Sequence, residues 1–146
     1  MKTWTATTTV DAAPEAVLDV LTDPEAIARW APLPFDVDDL DTPRLVTGST
    51  ARVSGRLAGR RVGFVVEVHE ADDGRLSLAA TGPVGLDVNY DLAATDTGSE
   101  VHASVSVRNG RGITGRLLGE ATSALLSAGA LSHAVSRLAA LAACPA

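Results

Sequence analysis

Few side chains in this sequence combine a reactive type with a spacing that chemistry could use. His69, His102 and His133 are the only histidines, and none stands at metal-ligand spacing from another His or Cys, so no metal site is predicted. His69 and His102 fall on the polar register of alternating segments and His133 lies off the apolar stripe of a helix, so all three are expected to face solvent. Gly110-Arg111-Gly112-Ile113-Thr114-Gly115 matches G-x-G-x-x-G between a strand-like and a helix-like segment. The dinucleotide fingerprint, however, requires a parallel βαβ unit with an acidic residue about 20 positions on, and here no strand follows the helix. What survives is a helix start flanked by Arg111 and Arg116, which is either an attractor for phosphate or carboxylate or a solvated turn. Asp36, Asp38, Asp39 and Asp41 form an acidic run that reads as a solvated edge or as the flank of a pocket mouth. The sequence has no G-x-S-x-G elbow, no Walker loop and no paired-cysteine motif. Cys144 is the single cysteine, which excludes an internal disulfide, and it stands third from the end where a prenylation box needs it fourth. Tyr90 is the one obvious proton donor on an inward register; the plain alternative is a core tyrosine with a satisfied hydroxyl.

The elements that must position these groups are bounded by composition. A length of 146 residues predicts one domain with a sizeable core, because folding at this size removes roughly 68–70% of the unfolded chain's surface from water. Eighteen acidic against twelve basic residues leave a net charge of −6, which lacks the basic footprint that nucleic acid or anionic lipid headgroups demand. Only five aromatic residues are present, too few for base-stacking platforms. Eleven of the twelve basic residues are Arg, which with the Ala content fits a GC-rich bacterial gene. The N-terminal residues alternate instead of forming an apolar run, so a cytoplasmic location is expected. Residues Ala121 to Ser136 carry no charge, but four serines and many alanines make them too weakly apolar to predict a membrane span.

Along the chain the hydrophobic period changes twice. Trp4, Ala6, Thr8 and Val10 alternate with Thr3, Thr5, Thr7 and Thr9, predicting a half-buried strand over 2–10. Asp11 as cap, Pro14 in the first turn, and Val17, Leu18 and Leu21 at helical spacing predict a short helix; Asp23-Pro24 repeats the signal for a second, over Glu25 to Ala31. From Phe35 to Arg108 the period is two, with Asp73-Gly74 and Thr97-Gly98 as turns, predicting an antiparallel meander. The inward positions on this reading are Trp4, Val53, Val62, Phe64, Val66, Leu78, Val88, Tyr90, Val101 and Val105. A slip of one residue would turn Arg52, Glu67, His69, Asn89 or His102 inward instead. After Gly112 the period becomes 3.6, with Leu117, Ala121, Ala124, Leu125, Ala128, Leu131, Val135 and Leu138 on one stripe, predicting a single helix from Ile113 to Ala142 of about 45 Å. Gly115, Gly119 and Gly129 each cost that helix about 1 kcal/mol relative to Ala. The small stripe permits either close packing on the sheet or a cavity beneath it.

The run Val10-Asp11-Ala12-Ala13-Pro14-Glu15-Ala16-Val17, then Leu21-Thr22-Asp23-Pro24-Glu25 and Arg29-Trp30, resembles the opening of the START-related helix-grip (SRPBCC) superfamily, in its polyketide cyclase/dehydrase and lipid-transport branch. The resemblance extends over nearly the whole chain. It implies an α+β helix-grip fold over 1–146, with a curved antiparallel seven-stranded sheet around a long C-terminal helix and two short helices after the first strand. It also implies a hydrophobic small-molecule partner held between sheet and helix, in a pocket gated near Trp30 to Phe35. Combined with the inward register, the expected ligand contacts are Trp30, Phe35, Val53, Phe64, Val66, Leu78, Val88, Tyr90, Leu117, Ala121 and Leu125. Three functions remain open. One is a carrier of a lipid-, isoprenoid- or polyketide-like ligand. The second is a polyketide aromatase, cyclase or dehydratase with Tyr90 as general acid and the pocket as an entropy trap. The third is a partner-binding module using the helix face around Thr122, Leu126 and His133. No cofactor is indicated, and the oligomeric state is left open.

Overall fold

The alternating threonines at the N-terminus form an edge strand. In the computed structural model, which describes residues 2–31, 35–57, 59–72, 74–108 and 112–143, the chain runs β1 (Lys2–Val10), α1 (Pro14–Thr22), α2 (Pro24–Trp30), β2 (Phe35–Leu40), β3 (Thr50–Leu57), β4 (Arg60–Asp72), β5 (Arg75–Thr81), β6 (Gly85–Ala94), β7 (Ser99–Arg108), α3 (Gly112–Ser127) and α4 (Ala130–Ala143). The strands make one seven-stranded sheet in the order β1-β7-β6-β5-β4-β3-β2. Every neighbouring pair is antiparallel. This is the expected α+β architecture, an open antiparallel sheet with helices against one face.

Alternation decides the faces. Val62, Phe64, Val66 and Val68 of β4 are buried while Arg61, Gly63, Val65, Glu67 and His69 between them are exposed. On β7, Val101, Ala103, Val105 and Val107 are buried in the same way. The register holds: Arg52, Glu67, His69 and His102 point outward, and bulges are confined to Val37/Asp39 and Val68/Glu70. The aspartates of the 36–41 run are exposed along β2, where charge on an edge strand opposes pairing with another sheet.

The helix starts follow their sequence signals in one case and depart from them in the other. The Asp23 carboxylate accepts a hydrogen bond from the Glu25 amide at 3.0 Å, capping α2. Asp11 does not cap α1. The N-cap is Ala13, which offers no side-chain acceptor, because Asp11 lies two residues too early for a helix that begins at Pro14.

The C-terminal segment is two helices, not one. Gly129 takes a left-handed φ of +100°, a conformation available to glycine without strain, and the axes of α3 and α4 diverge there by 58°. The break shifts the buried stripe. α4 buries Leu131, Ala134, Val135, Leu138 and Ala142, while α3 buries Gly115, Leu118, Gly119, Thr122 and Leu126. Extending the α4 phase backwards through Gly129 yields the stripe expected from the sequence, which is why it fails in α3: Leu117 is 58% and Leu125 42% exposed. The partner-binding reading loses its surface for the same reason, since Thr122 and Leu126 are buried and only His133 of that trio faces out. Among the described residues no single helix is long and apolar enough to cross a membrane; the α3–α4 pair reaches that length and composition only across its bend.

Candidate ligand-binding site

Between the inner sheet face, α2 and the end of α3 lies a cavity of about 100 Å³. The strands β3 to β6 contribute through their inward register: Val53 from β3, Phe64 and Val66 from β4, Leu78 from β5, and Val88 from β6 line it, and Trp30 lines it from α2. These six were expected from the sequence. The others divide by the reason they were missed. Ala51, Ala80 and Leu86 lie on the same strands and are read by the same alternation. Leu126 replaces Leu125 because of the phase shift at Gly129, and Ala121 and Leu117 are not brought to the wall. Leu45 comes from an irregular segment and carried no periodic signal. It is placed by its own amide, which donates to the Thr22 carbonyl at 3.0 Å, and by the neighbouring Arg44, whose guanidinium donates to the Asp19 carbonyl. The Phe35 side chain and residues 32–34 of the expected gate lie outside the described residues.

Tyr90 is fully buried beside the cavity, in T-shaped contact with Trp30 at 5.5 Å between ring centroids and 72° between planes. α4 holds this corner: the Arg137 guanidinium donates to the Ala31 carbonyl at 3.0 Å, fixing the end of α2. Two polar atoms here have no hydrogen-bond partner among the described residues, the Trp30 indole Nε1 and the Tyr90 hydroxyl. A buried donor left unpaired costs about 1–3 kcal/mol.

Burial lifts the Tyr90 phenol well above its ordinary value near 10, and the Arg137 charge offsets this only in part. The folded state therefore keeps a proton that the unfolded state loses at alkaline pH. The corresponding stability is complete below pH about 10 and falls as pH rises beyond it, by up to about 1.4 kcal/mol per pH unit. We expect thermal melts at pH 8 and pH 11 to show a larger alkaline loss for the native protein than for Tyr90→Phe; equal losses would place the phenol in contact with water. As a general acid, a phenol lifted this far is poorly matched to neutral pH.

The remaining candidates lie away from the cavity. His69 and His133 are exposed, and His102 is exposed beside Glu100 at 2.5 Å. No cluster of metal-ligating side chains occurs among the described residues. Of the glycine-rich motif, Gly110 and Arg111 lie outside the described residues, and Gly112 opens α3, which leads into α4 with no strand between them. The βαβ context of a dinucleotide site is therefore missing. Cys144 also lies outside the described residues.

An antiparallel sheet gripping C-terminal helices, with an apolar cavity between, defines a helix-grip protein. The chain belongs to the polyketide cyclase/dehydrase and lipid transport family, whose model matches residues 1–143. No curated protein matches it. Among solved structures, protein CV1439 of Chromobacterium violaceum superposes with a TM-score of 0.71 at 16% identity, covering 99% of this chain and 100% of that one. Protein BH1534 of Bacillus halodurans gives 0.69 at 14% identity, covering 96% of both chains. DynU16, from the dynemicin biosynthetic locus, gives 0.63 at 19% identity, with 96% of this chain matched to 46% of that one. At such identities the likeness is one of fold. Family and fold together suggest hydrophobic ligand binding.

Proposed function

We propose that this protein, acting over residues 1–146 as one ligand-binding unit, is a carrier or binder of a small hydrophobic molecule held between the sheet, α2 and α3. The observation that carries this reading is the wall of the cavity: every residue on it is hydrophobic. Such a wall rewards apolar surface removed from water and offers no acid or base to move a proton. About 100 Å³ is below the roughly 300–1,000 Å³ of a drug-sized site and nearer to engineered cavities of about 150 Å³ that take up benzene. A cavity of this volume therefore suits one small ring or a short branched chain, of isoprenoid-unit size. A longer lipid- or polyketide-like ligand requires displacement of α3, whose outer face exposes Ile113, Leu117 and Leu125 to solvent.

Filling the cavity tests the reading. Ala51 and Ala80 are both buried on its wall, and a leucine at either position would occupy most of the free volume. Ala51→Leu is expected to weaken binding of toluene at least tenfold, as followed by NMR titration, with the fold retained. Undiminished binding by a folded variant would remove this cavity as the site. Native mass spectrometry of freshly purified protein should also show an apolar passenger.

A second reading, that the protein is a polyketide cyclase or dehydratase, draws support from the family it belongs to and from the biosynthetic locus of DynU16. Tyr90 is the residue to which this reading assigns proton donation. Turnover unchanged in Tyr90→Phe would take Tyr90 out of any such mechanism.

A further inference from the structure

We propose that the ligand of this cavity is a neutral molecule with an apolar body and one hydrogen-bond acceptor, a carbonyl or ether oxygen, received by the Trp30 indole N–H and the Tyr90 hydroxyl. This rests on the cavity being the ligand site. Two buried polar atoms sit on neighbouring rings whose centroids are 5.5 Å apart, and neither has a partner among the described residues. An indole nitrogen is a donor only, and a phenol is a donor when protonated, the form that burial favours here. Two unpartnered donors on neighbouring rings call for an acceptor, and a single carbonyl oxygen has a lone pair for each.

Charge narrows the class further. The Arg137 charge reaches this corner but lies off the cavity wall, and at Tyr90 burial outweighs it, so a carboxylate entering among hydrocarbon and neutral donors would lose more in hydration than that cation returns. A ketone, aldehyde, ester or ether pays no such penalty. The wall of the cavity is hydrocarbon, and of the two rings only that of Trp30 lies on it, so the acceptor reaches the two donors through a turn of the Trp30 ring.

The test uses two ligands of similar size, toluene and benzaldehyde, titrated into the full chain by ¹H–¹⁵N NMR. The two indole N–H signals are assigned with Trp4→Phe, since Trp4 lies outside the cavity with its indole donating to Ser127 at 3.2 Å. Benzaldehyde should move the Trp30 indole proton downfield where toluene does not. Tyr90→Phe, which removes a hydroxyl without a partner among the described residues and keeps the ring, should weaken benzaldehyde about 3- to 10-fold, the worth of one neutral hydrogen bond, and leave toluene within about twofold. If both ligands bind but Tyr90→Phe treats them alike and the indole signal stays in place, the acceptor is overturned while the cavity stands. If neither binds, the cavity reading falls and this inference with it.

Discussion

Trp30→Ala should lower the stability of this protein by about 3–5 kcal/mol, the range for emptying a packed aromatic position, or roughly 10–15 °C in Tm. Trp30 is 5% exposed, ends α2, lines the cavity and packs on Tyr90. The space it leaves would merge with the existing cavity of about 100 Å³ instead of collapsing, because the surrounding wall belongs to hydrogen-bonded strands that cannot follow the missing ring. The variant should therefore acquire affinity for a bicyclic ligand that the native protein rejects. Added indole, the shape of the deleted side chain, should recover part of the lost Tm in the variant and leave the native Tm in place. A loss under about 1 kcal/mol with no response to indole would show that Trp30 is not part of the packed wall.

Gly98→Ala should be nearly as damaging for a different reason. Gly98 ends the turn between β6 and β7 and presses on the exit of β1, so that a Cβ there would stand 2.1 Å from the Val10 carbonyl oxygen and 2.8 Å from the Ala12 amide nitrogen. Both obstacles are backbone. They are also fastened: Val10 pairs with Ser99 at the end of the β1–β7 ladder, and the buried Ser99 hydroxyl donates to the Ala12 carbonyl at 2.5 Å. Relief means separating the turn from the β1–α1 connection, at about 2–3 kcal/mol on the scale of overpacked interiors, or roughly 6–9 °C in Tm. Gly63→Ala is the control. It sits within β4, where its Cβ would meet only the Val53 carbonyl oxygen at 3.8 Å, an ordinary contact. Equal Tm values for the two variants would mean that the approach at Gly98 is looser than the structure places it.

Alternation and cap signals along the chain sufficed for the sheet, its inward face and the two short helices. Alternation is a local property: once Val62, Phe64 and Val66 share a side of β4, the pleat carries them to one surface whatever the neighbours are, and paired strands extend that surface across the sheet. This is why Val53, Phe64, Val66, Leu78 and Val88 were legible as wall residues. The helical side of the site depends instead on packing between elements. Leucines stand in adjacent pairs at 117–118 and 125–126, so either member can be the inward one, and only the bend at Gly129 selects Leu118 and Leu126. Leu45 is likewise placed by hydrogen bonds to α1 that carry no periodicity, and the cavity is the volume left when all these side chains have been seated. Register follows from neighbours in the chain, whereas the phase of a helix beyond a break and the space remaining in a core depend on every element packed around them.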